Sequence, residues 1–153
     1  MGLIVTQKAE SSVDFVESLM VTPVEVVRPT ELVKSALKRM IRKDIGCVII
    51  VEGRKPVGII TDRDVSRKVA KTAKVLMSQV RTVMSRPLIT VTPRTPIEKA
   101  VYLMVRHGIR RLPVVDGEVL VGVISERDLL LRFAYSLRFP RAPAAEYRPA
   151  KSP

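Results

Sequence analysis

Two carboxylates are the groups in this chain best placed to do chemistry. Asp64 and Asp128 each follow a hydroxyl, Thr61 or Ser125, by three residues. Both close the same short pattern, Gly58-Ile59-Ile60-Thr61-Asp62-Arg63-Asp64 and Gly122-Val123-Ile124-Ser125-Glu126-Arg127-Asp128. In the plainest reading each hydroxyl caps a helix and each acid favours the positive end of its macrodipole. The same groups can also bind, because a carboxylate accepts hydrogen bonds and free N–H groups at a helix start suit an anion. Arg63, Arg127, Arg110 and Arg111 could supply countercharge. Catalysis finds little support: there is no His-Glu-x-x-His, Walker loop, Gly-x-Ser-x-Gly or Cys–His pair. His107, the single histidine, has no cysteine or carboxylate at ligand spacing and reads as a solvated helix end. A two-acid hydrolase would need Asp64 and Asp128 to converge on one groove. The chain reads as a non-enzyme.

The segments that carry these groups come in duplicate. Met20, Pro23, Val27, Pro29, Ala36, Met40 and Ile45 recur 64 residues later as Met84, Pro87, Val91, Pro93, Ala100, Met104 and Ile109. Val51, Gly53, Val57, Gly58, Ile60, Arg63 and Asp64 recur likewise, with no gap in register. One unit has been duplicated in tandem. Two such units pack most naturally about a pseudo-twofold axis, with the groove between them as the binding site. Two copies are too few for a solenoid.

Composition bounds the rest. The 153 residues suit one compact domain or two small interdependent ones, and 46% are hydrophobic, mostly aliphatic. No apolar run approaches the roughly 20 residues needed to span a bilayer. The N-terminus holds only the short run Leu3-Ile4-Val5, so neither a secretory signal nor a membrane is expected and the location is expected to be cytoplasmic. A lone cysteine excludes an internal disulfide and a multi-cysteine zinc site; no metal is expected. The net charge of +12 attracts anions of any kind and selects none.

Within the first copy, residues 24–27 are a short extended run. Thr30 is a candidate N-cap for a helix carrying Leu32, Val33, Ala36, Leu37, Met40 and Ile41 at helical spacing. Residues 45–51 form a continuous apolar run that reads as a central strand, followed by a turn, a strand opened by Pro56, and a helix over 62–69. The second copy repeats the order. Asp116-Gly117 marks its hairpin, and Leu129, Leu130 and Phe133 are expected on the buried face of its last helix. Each unit is β-α-β-β-α, giving an α/β (α+β) fold. The units are bounded at 13–73 and 77–137, and a flexible, basic, proline-rich tail is expected over 138–153.

This order and the duplicated Gly-hydrophobic-x-Thr/Ser-x-x-Asp segment resemble the cystathionine-β-synthase (CBS) domain. The whole stretch 13–137 is similar to a CBS pair, or Bateman module. The resemblance implies a regulatory module that binds an adenine nucleotide between its repeats, with AMP favoured and ATP or ADP as alternatives. It implies no catalytic cofactor. A carboxylate suits two vicinal ribose hydroxyls, and by resemblance that role falls to Asp64 and Asp128. Phosphate falls to Thr61, Arg63, Ser125, Arg127, Arg110 and Arg111. The stretch Arg106-His107-Gly108-Ile109-Arg110-Arg111-Leu112-Pro113 is similar to the phosphate-contacting segment of AMP-sensing members. Adenine falls to Val24, Ile45, Gly46, Cys47, Leu88 and Ile109. Cys47 also reads simply as a small core residue.

The copies are unequal, since Gly46-Cys47 in the first stand where the second has Arg110-Arg111. On that ground the Asp128 site is expected to be the tighter. CBS pairs commonly form flat homodimers through exposed helices, here 32–41, 97–105, 62–69 and 129–133. The regulated protein is expected to be a separate, unidentified chain. Two other readings stand beside the sensor: a nucleic-acid binder using the basic charge, disfavoured by six aromatics and no reader motif, and a protein-interaction scaffold.

Overall fold

Residues 14–138 are described by the structure, a computed structural model. The first repeat forms a three-stranded sheet in the order β1-β2-β3, from β1 (Val26–Val27), β2 (Cys47–Glu52) and β3 (Lys55–Thr61). β1 runs parallel to β2, and β3 runs antiparallel to it. Helices α1 (Val33–Lys43) and α2 (Asp62–Val69) complete the unit. The second repeat contributes α3 (Ile97–His107), β4 (Arg111–Asp116), β5 (Val119–Ser125) and α4 (Glu126–Arg138). Its counterpart of β1 shrinks to one parallel bridge between Val91 and Val114. The apolar run of β2 is explained by its setting: Val48, Ile49 and Ile50 are fully buried, as expected of a strand covered on both faces.

Corresponding irregularities fall at corresponding places. The ladder shifts register between Ile50 and Val51, and again between Val114 and Val115. The Thr22–Pro23 and Arg86–Pro87 peptide bonds are both cis. In the second hairpin Asp116 pairs with Val119, so the two turn residues are Gly117 and Glu118 rather than Asp116 and Gly117. Positive φ occurs at Gly117 alone, at 59°, which is the type II′ pattern; Gly53 does the same in the first hairpin.

Packing crosses between the repeats. Val16 and Leu19, which precede the first repeat's strands, are buried in the second repeat's core with Ala100, Met104, Leu112 and Ile124. Val80 and Val83 lie in the first repeat's core with Val33, Met40, Ile50 and Ile60. Backbone pairs repeat the exchange. The Val16 N–H donates to Thr95 O at 2.9 Å and the Val80 N–H to Glu31 O at 2.8 Å. Val21 pairs with Val123 while Ser85 pairs with Ile59. Each lead-in segment is thus exchanged across the pseudo-twofold axis.

That exchange corrects the reading of Thr30. Helix α1 starts at Val33 after an extended Leu32 that makes no side-chain cap. The Val33 N–H donates instead to Ser78 O at 2.9 Å, and the Ile97 N–H of α3 donates to Asp14 O at 2.9 Å. A backbone carbonyl from the other half fills the orphan-donor role that a local cap would otherwise take. A second correction concerns α4. Leu129 packs on the core, but Leu130 and Phe133 are 60% and 62% exposed. The expected tail lies outside the described residues, apart from Arg138, the last residue of α4. Among the described residues no helix is long and apolar enough to cross a membrane. Nor do any of them form a cluster of three or more His, Cys, Asp or Glu arranged for a metal.

Candidate functional site

Strands β3 and β5 each run straight into a helix, and that junction fixes the hydroxyl and the carboxylate. Thr61 caps α2: its Oγ1 accepts from the Asp64 N–H at 3.1 Å and donates to Asp64 Oδ2 at 2.7 Å. The Thr61 N–H also donates to Asp64 Oδ2, at 3.2 Å, closing a capping box. Ser125 and Asp128 repeat the arrangement, with Oδ2 accepting from Ser125 N–H at 2.9 Å and from Ser125 Oγ at 2.6 Å. The capping account is therefore correct for all four residues. It does not exhaust them, because the hydrogen bonds of each carboxylate run through Oδ2 and leave Oδ1 available to accept.

Two clefts open beside these junctions, and each draws on both repeats. The first takes Thr61, Arg63 and Asp64 from the first repeat, and Leu88, Ile109 and Pro113 from the second. The other takes Ser125, Arg127 and Asp128 from the second repeat, with Ile45, Gly46 and Cys47 from the first. Their volumes are about 180 and 310 Å³, the first below and the second at the lower end of the roughly 300–1,000 Å³ of small-molecule sites. Of the adenine set, Leu88 and Ile109 thus face the Asp64 cleft, and Ile45, Gly46 and Cys47 the Asp128 cleft. Val24 lies apart, in a shallow hollow with Pro23, Val51 and Leu120. Asp64 and Asp128 line different clefts, so the two acids share no groove in which to act as a pair.

Two of the arginines are shared between the clefts. Arg110 and Arg111 belong to the second copy, but in the fold they line both clefts. They stand near the axis, where the Arg111 guanidinium packs so closely on Gly46 that a Cβ there would come within 2.0 Å of its Nη2. The expectation of a tighter Asp128 site rested on those two charges serving one side only. Sequence reasoning also missed Arg67, one helical turn beyond Arg63 in α2, which lines the Asp64 cleft. Its signal was the i, i+4 spacing from Arg63 on the helix that follows the motif.

Cys47 is half-buried at the start of β2, paired with Thr61. Burial pushes its thiol from the ordinary 9.0 up to about 11; the Arg111 guanidinium opposes this, and Asp62 and Asp128 reinforce it. A raised pKa lowers the thiolate population at pH 8 roughly 100-fold, partly offset by the greater nucleophilicity of a more basic sulfur. Alkylation by iodoacetamide at pH 8 is therefore expected to be about tenfold slower than for an unfolded-peptide cysteine. A rate equal to the peptide's would show that the thiol is not shielded.

A family model described as the CBS domain matches residues 16–71 and again residues 80–135. The CBS domain-containing protein YhcV of Bacillus subtilis is 34% identical over 114 residues, covering 74% of this chain and 81% of that protein. Among solved structures, the CBS domain pair of protein MJ0100 has a TM-score of 0.75 at 25% identity, covering 81% of this chain and 98% of that one. That structure is a complex with 5′-methylthioadenosine and S-adenosyl-L-methionine. The CBS domain NE2398 has a TM-score of 0.69 at 31% identity, covering 73% and 89% of the two chains.

Proposed function

Because the chain belongs to the CBS domain family, with one domain at each repeat, we propose that it is a regulatory module whose clefts bind an adenine nucleotide, AMP in preference to ATP or ADP. One observation carries this reading. Each cleft takes a carboxylate with a free oxygen from one repeat and its apolar wall from the other. A ligand in either cleft therefore touches both halves, and its affinity depends on how they are packed. A ligand can shift a conformational equilibrium only by its difference in affinity for the two states, and a site built from both halves supplies such a difference. The adenosine-type ligands of the MJ0100 pair support the same chemistry.

In this reading Asp64 and Asp128 accept from the ribose hydroxyls through Oδ1. Thr61, Ser125, Arg63, Arg127, Arg110 and Arg111 meet the phosphate. Adenine lies against Leu88 and Ile109 in one cleft, and against Ile45, Gly46 and Cys47 in the other; Val24, in a separate hollow, takes no part. The module acts as a sensor of ligand level rather than as an enzyme, in a cytoplasmic setting. A second copy pairs with it through the apolar surface left on α3 and α4, where Tyr102, Val105, Leu130, Phe133 and Leu137 are 48–77% exposed.

Calorimetric titration with AMP, ADP, ATP and S-adenosylmethionine tests the proposal. The informative variants are Asp64→Asn and Asp128→Asn, which keep an oxygen for the capping box and replace the free acceptor by a donor. Micromolar AMP binding is expected in the wild type. Each substitution should weaken its own cleft about tenfold or more, the range for hydrogen bonds to a charged group. Absence of binding by all four ligands would refute the nucleotide reading.

A further inference from the structure

The two clefts differ in charge far more than their shared ancestry requires. Around Asp64 stand four arginines, Arg63, Arg67, Arg110 and Arg111, against that one carboxylate. None of the four forms an ion pair among the described residues. Around Asp128 stand three arginines, Arg110, Arg111 and Arg127, facing three carboxylates, Asp62, Glu126 and Asp128. The asymmetry has two sources, one substitution between the copies and the placement of two acids. The position of Arg67 in the first repeat is Leu131 in the second, 42% exposed and uncharged. Asp62 and Glu126 are pseudo-symmetric mates, yet both line the Asp128 cleft and neither lines the other.

Unpaired like charges crowded into a concavity repel one another, and a bound anion removes that cost. A cleft lined by one sign also concentrates counter-ions, because its low-dielectric walls focus the field. A phosphate in the Asp64 cleft meets guanidinium groups that lack other partners. In the Asp128 cleft the same phosphate enters among two further carboxylates, whereas an uncharged ligand keeps the ribose contact without that repulsion.

From this we infer that the clefts sort adenosine ligands by charge: the Asp64 cleft takes the phosphorylated nucleotide, and the Asp128 cleft takes an adenosine derivative without phosphate. The inference rests on the nucleotide-module reading and narrows it for one cleft: AMP goes to the Asp64 cleft, and Ser125 and Arg127 beside Asp128 meet no phosphate. Arg67 is the residue that discriminates.

AMP and adenosine make the test, since they share base and ribose and differ only in the phosphate. Both are titrated calorimetrically into wild type, Arg67→Ala, Asp64→Asn and Asp128→Asn. Arg67 is solvent-exposed on α2, so its alanine variant keeps the fold. The expected result is that Arg67→Ala weakens AMP about three- to tenfold and leaves adenosine unchanged, the range for a partly screened charge. Asp64→Asn should weaken AMP more than Asp128→Asn does, and adenosine should show the opposite order. Equal weakening of AMP and adenosine by Arg67→Ala overturns the charge sorting and leaves the module reading intact. So does AMP binding that follows Asp128→Asn. If neither compound binds wild type, the nucleotide reading itself fails and takes this inference with it.

Discussion

Leu19→Ala is expected to destabilise the whole protein by about 3 kcal/mol, within the 2–5 kcal/mol typical of leucine truncation in a core. At roughly 2–4 °C per kcal/mol for a chain of this size, the melting temperature falls by about 10 °C. By sequence alone Leu19 is an unremarkable residue ahead of the first repeat. In the fold it is 1% exposed and packed among the second repeat's core residues, Val16, Met104, Leu112 and Ile124. Removing its branched end leaves a void that the flanking segment cannot easily close. The Val16 N–H is tied to Thr95 O at 2.9 Å, and the Val21 N–H to Val123 O at 2.8 Å. Because each half holds the other's lead-in, loosening the second core also loosens the first. Calorimetry and circular dichroism should therefore report one coincident transition, as expected of a two-state domain. A loss below about 1 kcal/mol, the average for an arbitrary substitution, would show that the exchanged segment is not part of the core. So would two separate transitions.

Gly58→Val is expected to cost about 2–3 kcal/mol, the upper part of the range for overpacking. A Cβ on Gly58 would lie 2.2 Å from Met84 Sδ, 2.8 Å from its Cγ and 3.1 Å from its Cβ. The thioether can swing away, since methionine is flexible. The Met84 Cβ cannot follow freely, because the next residue, Ser85, is bridged to Ile59 in both directions. Valine adds two methyl groups to this crowding, and its better strand propensity offsets only part of the cost. The mate position supplies the comparison. At Gly122 the distances to Met20 Sδ, Cγ and Cβ are 2.7, 3.1 and 3.3 Å, each longer. Chemical denaturation of both variants should rank Gly58→Val as the more damaging. The reverse order, or no loss from either, would mean that the glycines are not there for close approach.

Much of the candidate site's geometry was legible because its parts are local. Thr61 with Asp64, and Ser125 with Asp128, lie three residues apart, so strand–helix geometry alone brings each pair together. The division of each cleft between copies was likewise implicit in the duplication, and Leu88, Ile109, Ile45, Gly46 and Cys47 line the clefts. Other features depended on distant neighbours. Thr30 looks like a cap, but carbonyls from the other half hold the helix starts at Val33 and Ile97. Leu130 and Phe133 share the α4 pattern with Leu129 yet remain exposed, because periodicity states that a helix has an apolar side, not which side finds a neighbour. Val24 matches Leu88 in the repeat and still falls outside the cleft.

The architecture is written in the chain's local order: an ungapped 64-residue repeat, its order of elements and its paired hydroxyl–carboxylate junctions. These follow from chain-local rules of periodicity, turns and caps, which act over a few residues and survive duplication unchanged. The exchange of lead-ins and the charge of each cleft arise in the folded packing. Residues far apart in the chain, such as Arg67 and Arg110 in one cleft or Asp62 and Asp128 in the other, meet there because the repeats pack about an axis. Electrostatic field depends on distance in space, and the order of residues along the chain does not contain that distance.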